Sequence, residues 1–233
     1  MNRAGTFSAA VLGQAARPAA DHRRAAYAII SALLRYPDEA LVRDLPLLDA
    51  AIGIAPAAIR DQLLSVVIWV ADTPLLEAQA CYVETFDMRR KCCLYLSYYM
   101  NGDTRRRGEA LWRFQDACRR AGFRVAGGEL ADYLPLLLEL AACGGEGPAL
   151  ELLDEHRAGI ELLGAGLRHA SSPYAGLISA LGALLPAAKA GTASSAARLM
   201  RDGPPTELVG VESPGTLSPC RPTGEGTEES ERR

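Results

Sequence analysis

The chain has 233 residues, of which 49% are hydrophobic and 23% charged, with a formal net charge of -3. That is enough apolar material for one sizeable core, and the slightly negative balance argues against a nucleic-acid partner, which would demand clustered Lys and Arg. No run approaches the roughly 18 consecutive apolar residues of a membrane-spanning helix, so direct membrane insertion is not expected.

Residues 1–23 set Arg3, Arg17 and Arg23 around an alanine-rich centre that contains Gln14. Without a sustained apolar run this reads as a disordered leader on a cytoplasmic protein, not as a secretion signal. From Arg24, residues Ala26, Ile29, Ile30, Leu33 and Leu34 recur at three- and four-residue spacing, and Pro37 blocks continuation. Leu41, Leu45, Leu48 and Ile52 repeat the pattern, with Pro46 as a kink or break. Ile59, Leu63, Val66, Val67 and Val70 form a third stripe before Asp72-Thr73-Pro74.

Pro74 suits the first turn of a new helix with Thr73 or Asp72 as its cap, and that helix is expected to run from about Leu75 towards Tyr99 and to end at Asn101-Gly102. Ala110, Leu111, Phe114, Ala117, Cys118 and Ala121 make a further stripe, stopped by Gly122. Glu129 to Ala142 reads as a loop leading into a helix that is apolar nearly all round and therefore buried. Leu150, Leu153, Ile160, Leu163 and Leu167 continue the helical period, and Pro173 separates them from Tyr174, Leu177, Ile178, Leu181 and Leu184. No stretch alternates with period two. The expected fold is all-α: a single-domain bundle of about eight helices over residues 24–190. Residues 191–233, dominated by Pro, Gly, Ser, Thr and Glu from Gly203 onward, are expected to form a disordered tail.

Catalytic and metal chemistry find little support. The six cysteines include no C-x-x-C pair; on one continuous helix, Cys81 and Cys92 would stand about 16 Å apart, too far to share a zinc ion. A cysteine nucleophile needs a nearby base, and the three histidines, His22, His156 and His169, are remote in sequence. Glu84 and Asp87 could be paired carboxylates, but Asp87 also has Arg90 and Lys91 at ordinary ion-pair spacing. No phosphate-binding glycine loop is present. The expectation is a protein with no catalytic residues and no metal site. Arg105-Arg106-Arg107 sits at a helix start, where positive charge opposes the helix dipole, and Asp103 before it can cap that helix.

Several ordered motifs carry a family resemblance. Tyr82-Val83-Glu84-Thr85-Phe86-Asp87-Met88-Arg89-Arg90, then Leu94-Tyr95-Leu96, then Gly102-Asp103-Thr104-Arg105-Arg106-Arg107-Gly108 resemble the central signature of the respiratory nitrate reductase delta-subunit assembly chaperones. Ala121-Gly122 leading into Glu129-Leu130-Ala131-Asp132-Tyr133-Leu134-Pro135 resembles the same family, as do Leu33-Leu34-Arg35-Tyr36-Pro37-Asp38 and Ser172-Pro173-Tyr174-Ala175. Two departures stand out: Ala131 replaces a proline and Tyr133 a histidine of the family's E-L-P-D-H loop.

The resemblance implies an all-helical redox-enzyme maturation protein, not an enzyme. It would bind the N-terminal segment of the nitrate reductase catalytic (alpha) subunit and hold the apoenzyme ready for molybdopterin guanine dinucleotide insertion before membrane attachment, with no cofactor stably bound to itself. The alternatives are a chaperone of another molybdoenzyme and, from a different class, an enzyme with an uncharted helical active site. For a helix-in-groove mode of capture, the candidate groove residues are Tyr82, Phe86, Tyr95, Tyr98, Tyr99, Leu134 and Leu138. Arg89, Asp103, Arg107, Glu129 and Asp132 are candidate polar rim or loop contacts, and Asp132→Ala is expected to spare folding while impairing maturation of the client.

Overall fold

The computed structural model describes residues 18–102, 104–125 and 128–205. Over these residues the fold is all-α, with eleven α-helices and one isolated antiparallel bridge, Tyr95 to Tyr133. In chain order the helices are α1 (Pro18–Leu33), α2 (Glu39–Ile52), α3 (Arg60–Asp72), α4 (Leu75–Tyr82), α5 (Leu96–Asn101), α6 (Arg106–Arg120), α7 (Leu134–Ala142), α8 (Glu146–Glu155), α9 (Arg157–His169), α10 (Ala175–Leu184) and α11 (Thr192–Asp202). No helix among the described residues is long and apolar enough to cross a membrane.

The centre of the bundle is the pair α1 and α7. Ala26, Tyr27, Ile29, Ile30 and Leu33 leave α1 no solvent on most of its circumference, and Leu134, Leu137, Leu138 and Ala141 do the same for α7. At such a contact buried polar groups usually find a partner, although the Tyr27 hydroxyl has none among the described residues. Ser31 donates its hydroxyl to Pro135 O at 2.7 Å, and at the periphery Arg35 pairs with Glu139 and Arg23 with Glu146. α2 and α3 flank α1 on one side, α10 lies against α3 and α1, and α8 follows α7 back across α6.

Local chemistry explains most of the boundaries. Asp38 accepts from Leu41 N at 2.9 Å and caps α2. Pro46 sits inside α2 without ending it. Thr73 does not cap the following helix: its hydroxyl bonds back to Trp69 O at 2.6 Å, closing α3, and Pro74 itself is the uncapped N-cap of α4.

Three expectations need correction. α1 begins at Pro18, inside the segment read as leader. α11 occupies 192–202, inside the segment read as a disordered tail, and packs on α9; its apolar stripe is made mostly of alanines and passes unnoticed in a segment rich in Ser, Thr and Gly. The single helix expected over 75–99 is broken into four pieces, and this break builds the candidate site.

Candidate functional site

α4 ends at Tyr82, and Val83–Asp87 continues as a π-turn in which Met88 N bonds Val83 O at 3.1 Å. The β-branched residues Val83 and Thr85 give up little helix propensity there, and the wider turn swings the chain off the helix axis. Arg90–Cys92 form a 3-10 turn, Tyr95 is extended, and the chain resumes as α5. The break lets two sets of aromatics face different partners. Tyr82 and Phe86 pack on each other at 4.7 Å and on Tyr174 at 6.0 and 5.0 Å, whereas Tyr99 lies against Gly159 of α9, where a Cβ would come within 2.7 Å of its ring.

The extended stretch at Tyr95 crosses the loop before α7. Leu96 N bonds Asp132 O at 3.0 Å and Leu134 N bonds Leu94 O at 2.9 Å, so the two segments are tied backbone to backbone. Beneath this crossing Asp132 has no solvent exposure. Its Oδ2 accepts from Ser97 N at 3.2 Å and from the Ser97 hydroxyl at 2.5 Å, and the Arg107 guanidinium lies 3.7 Å away. The carboxylate thus satisfies a donor in the first turn of α5, as a capping side chain does, but from a loop 35 residues downstream. Arg107 also donates to Ser97 Oγ at 3.3 Å and stands 5.8 Å from the centre of the Tyr95 ring, a cation–π arrangement.

On the outer side Tyr95 donates its hydroxyl to Glu129 Oε1 at 3.0 Å, and the same oxygen accepts Leu130 N at 3.0 Å. Tyr95 and Tyr133 rings lie 5.3 Å apart. Tyr82 uses its proton on Leu34 O at 3.1 Å, so at the 3.2 Å contact between hydroxyls Tyr133 is the donor. Burial, and then the neighbouring acceptors, push the Tyr82 and Tyr95 phenols well above the ordinary range. These hydroxyls are neutral donors at any physiological pH and offer no acid–base chemistry.

The structure therefore divides the predicted residues. Tyr95, Arg107, Glu129 and Asp132 are brought together, with Asp132 in the floor and not on a rim. Tyr82, Phe86, Tyr98, Tyr99, Leu134 and Leu138 are buried, and all but Tyr98 belong to the continuous hydrophobic core. Arg89 is exposed and paired with Glu84 at 2.7 Å. Asp103 lies outside the described residues. The sequence reading missed Ser97 and Tyr133, both central to the crossing, and Tyr36, whose ring is 5.4 Å from Tyr82. Tyr36, Met88 and Leu130 are large apolar side chains left exposed near this face.

The break also removes the one-helix spacing between Cys81 and Cys92. Among the described residues no group of three His, Cys, Asp or Glu is arranged to hold a metal ion. Burial pushes the Cys92 thiol up, with Arg89 opposing only in part, which disfavours the reactive thiolate.

Comparison with known sequences places these motifs. The family described as nitrate reductase delta subunit matches residues 46–180. A Bacillus subtilis (strain 168) protein named "Probable nitrate reductase molybdenum cofactor assembly chaperone NarJ" is 33% identical over 164 residues, covering 70% of this chain and 89% of its own. The nitrate reductase molybdenum cofactor assembly chaperone NarJ of Escherichia coli (strain K12) is 33% identical over 156 residues, 66% of each chain. The nitrate reductase-like protein NarX of Mycobacterium tuberculosis (strain ATCC 25618 / H37Rv) is 38% identical over 106 residues, 46% of this chain but only 16% of that longer protein. The Tyr95–Tyr133 crossing with Arg107 and Asp132 lies wholly within the matched stretch, and the chain belongs to the nitrate reductase delta-subunit family.

Proposed function

We propose that this chain is a cytoplasmic assembly chaperone that binds the N-terminal segment of the nitrate reductase catalytic (alpha) subunit. It keeps the apoenzyme open to insertion of molybdopterin guanine dinucleotide and delays membrane attachment until insertion is complete. The cofactor is cargo for the client and is not held stably by the chaperone. What carries this reading is that the family match spans the segment in which the motif residues converge, together with relatives named as molybdenum cofactor assembly chaperones.

The chemistry suits recognition, not catalysis. The crossing ties two loops through partly buried tyrosines over a fully buried carboxylate, so it is a rigid platform. Its outer rim, Tyr95 and Glu129, supplies directional polar contacts, and Tyr36, Met88 and Leu130 supply exposed apolar area, with Met88 74% exposed. Three or four apolar anchors at about 1.5 to 3 kcal/mol each, opposed by an association cost of about 4 kcal/mol or more, give a complex tight enough to capture and weak enough to release.

The test is isothermal titration of the full chain with a peptide of the first ~15 residues of the catalytic subunit, about four helical turns, beside a scrambled control. Saturable binding of the native peptide alone, with the negative heat-capacity change of apolar burial, is the expected result. Binding that is absent, or equal for the scrambled peptide, sinks the proposal. Binding only to the corresponding segment of a different molybdoenzyme reassigns the client.

A further inference from the structure

A groove runs between α9 and α10, walled by Ile160 and Gly164 on one side and Ile178 and Gly182 on the other. α11 lies over it and presents Ala193, Ala196, Ala197 and Met200. These are positions i, i+3, i+4 and i+7, the anchor spacing by which an amphipathic helix seats in an apolar groove. Three of the four anchors are alanines, and about 460 Å³ of open cavity remains along the contact. The cavity opens to solvent and is lined also by Arg157, Glu161 and Arg168; three alanines leave unfilled a contact that larger apolar anchors would close.

The attachment of α11 agrees. Ala196 is its one buried residue, Leu199 is only partly covered, and Met200 is 47% exposed. Glycines with positive φ bound it on both sides, Gly191 at 92° and Gly203 at 76°, so the helix can swing on either end without strain in an L side chain. The opposite side of α9 holds the motif loop: a Cβ at Gly166 would stand 3.1 Å from Lys91 O and 3.2 Å from Cys92 Sγ. One helix thus carries both the groove and the 3-10 turn that precedes the Tyr95 crossing.

We infer that α11 is a resident, undersized occupant of a helix-binding groove, displaced by a partner helix whose four anchors are of leucine, isoleucine or phenylalanine size. The inference rests on the proposed chaperone function and names its regulation. α11 lowers the apparent affinity for every partner by the fraction of time the groove is closed, so weakly apolar segments are rejected and only a well-anchored helix wins.

The experiment uses three full-length chains: the parent, Ala196→Pro, which breaks α11 in its interior and frees the groove, and the double variant Ala193→Leu/Ala197→Leu, which fills the cavity from within. The probe is a synthetic peptide of residues 191–203 carrying the same two leucines, titrated beside the catalytic-subunit peptide. The leucine peptide should bind Ala196→Pro roughly tenfold more tightly than the parent, and the filled variant roughly tenfold more weakly, with a raised Tm for the filled chain. Equal affinity across the three, or no binding to any, overturns the inference. If the leucine peptide follows the expected order while the catalytic-subunit peptide binds none of the chains, the groove and its plug stand and the proposed client falls. If the catalytic-subunit peptide binds all three equally, the client stands and α11 is not its competitor.

Discussion

The contact of α1 with α7 and the contact of α11 with α9 and α10 are both helix packings in one small bundle, yet they are held in opposite ways. In the first, leucine, isoleucine and tyrosine side chains are buried to completion, and a serine hydroxyl is satisfied by Pro135 O. In the second, alanines meet glycines across an open cavity. Complete side-chain burial makes the first a fixed frame even though the Tyr27 hydroxyl within it has no partner among the described residues, whereas the second covers its side chains only in part, as in a segment that opens locally. The difference teaches where motion is affordable: the motif crossing is anchored to the frame through α7, whereas the strap, α11, packs on α9 yet buries only Ala196.

The strongest way to break the fixed side is at Asp132. Replacement by alanine leaves Ser97 N without its acceptor beneath the crossing and removes the carboxylate 3.7 Å from the Arg107 guanidinium. Removing one member of a buried pair costs about 3 to 5 kcal/mol, which for a chain of this size is a fall in Tm on the order of ten degrees. Asp132→Asn keeps an acceptor for Ser97 and should lose less. Scanning calorimetry of both variants checks this, and a fall of under about two degrees for the alanine variant would remove Asp132 from the frame and return it to the rim.

Gly159 is the next largest. An added Cβ would meet Cδ2, Cβ and Cγ of Tyr99 at 2.7 to 2.9 Å, and that ring cannot yield easily because its hydroxyl donates to Cys93 O at 2.8 Å. Gly159→Ala should therefore destabilise by about 1 to 3 kcal/mol through overpacking. The control is Gly147→Ala in α8, where nothing lies within 4 Å and the gain in helix propensity is about 0.5 to 1 kcal/mol. Denaturant midpoints of opposite sign are the expected result, and equal shifts would mean that α5 does not press on α9.

The legible and illegible parts of the molecule fall along the same division. α1, α3, α6, α7 and α10 could be read from their stripes and from the stops at Pro37, Pro74, Gly122 and Pro173, because local periodicity and burial agree there. The break after Tyr82 could not be read, since Tyr82, Phe86 and Tyr99 sit at spacings that one helix would accept. What overrides helix propensity is pairing with Tyr133, a partner on a distant loop. Asp132 looked like a surface residue because carboxylates usually are, and nothing near it in sequence announces Ser97. The bundle and the motif positions were thus visible, while the depth of each motif residue depended on long-range contacts.

A smaller test of the fixed side comes from pH. His156, at the α8–α9 junction, is buried against the Phe114 ring at 4.8 Å with Nδ1 2.9 Å from Leu152 O. Burial holds its pKa below the ordinary imidazole range, opposed in part by Leu152 O, Glu155 and Asp132, while Arg113 adds to the lowering. The neutral form is favoured in the fold, so the stability it contributes is complete above the ordinary histidine pKa of about 6.5 and is lost as pH falls from there through the lowered folded value. Between about pH 7.5 and 5.5, Tm of the parent should fall more steeply than that of His156→Gln. Parallel curves would show that the imidazole is not buried in its neutral form.

The smallest expected effect belongs to the strap, and it is the one that sharpens the comparison most. Leu137, fully buried in α7, should cost about 2 to 5 kcal/mol on truncation to alanine, as core leucines do. Met200 is the largest of the four groove-facing anchors of α11 but is nearly half exposed, so Met200→Ala should cost only about 0.5 to 1 kcal/mol, a fraction of the full burial of such a side chain. Urea unfolding of the two variants, with hydrogen exchange read over 192–202, separates the cases. If Met200→Ala costs as much as Leu137→Ala, α11 unfolds only with the whole bundle and cannot act as a plug. If it costs little and exchange in α11 accelerates while α7 stays protected, the strap opens on its own, and the groove beneath it is available whenever a better-anchored helix arrives.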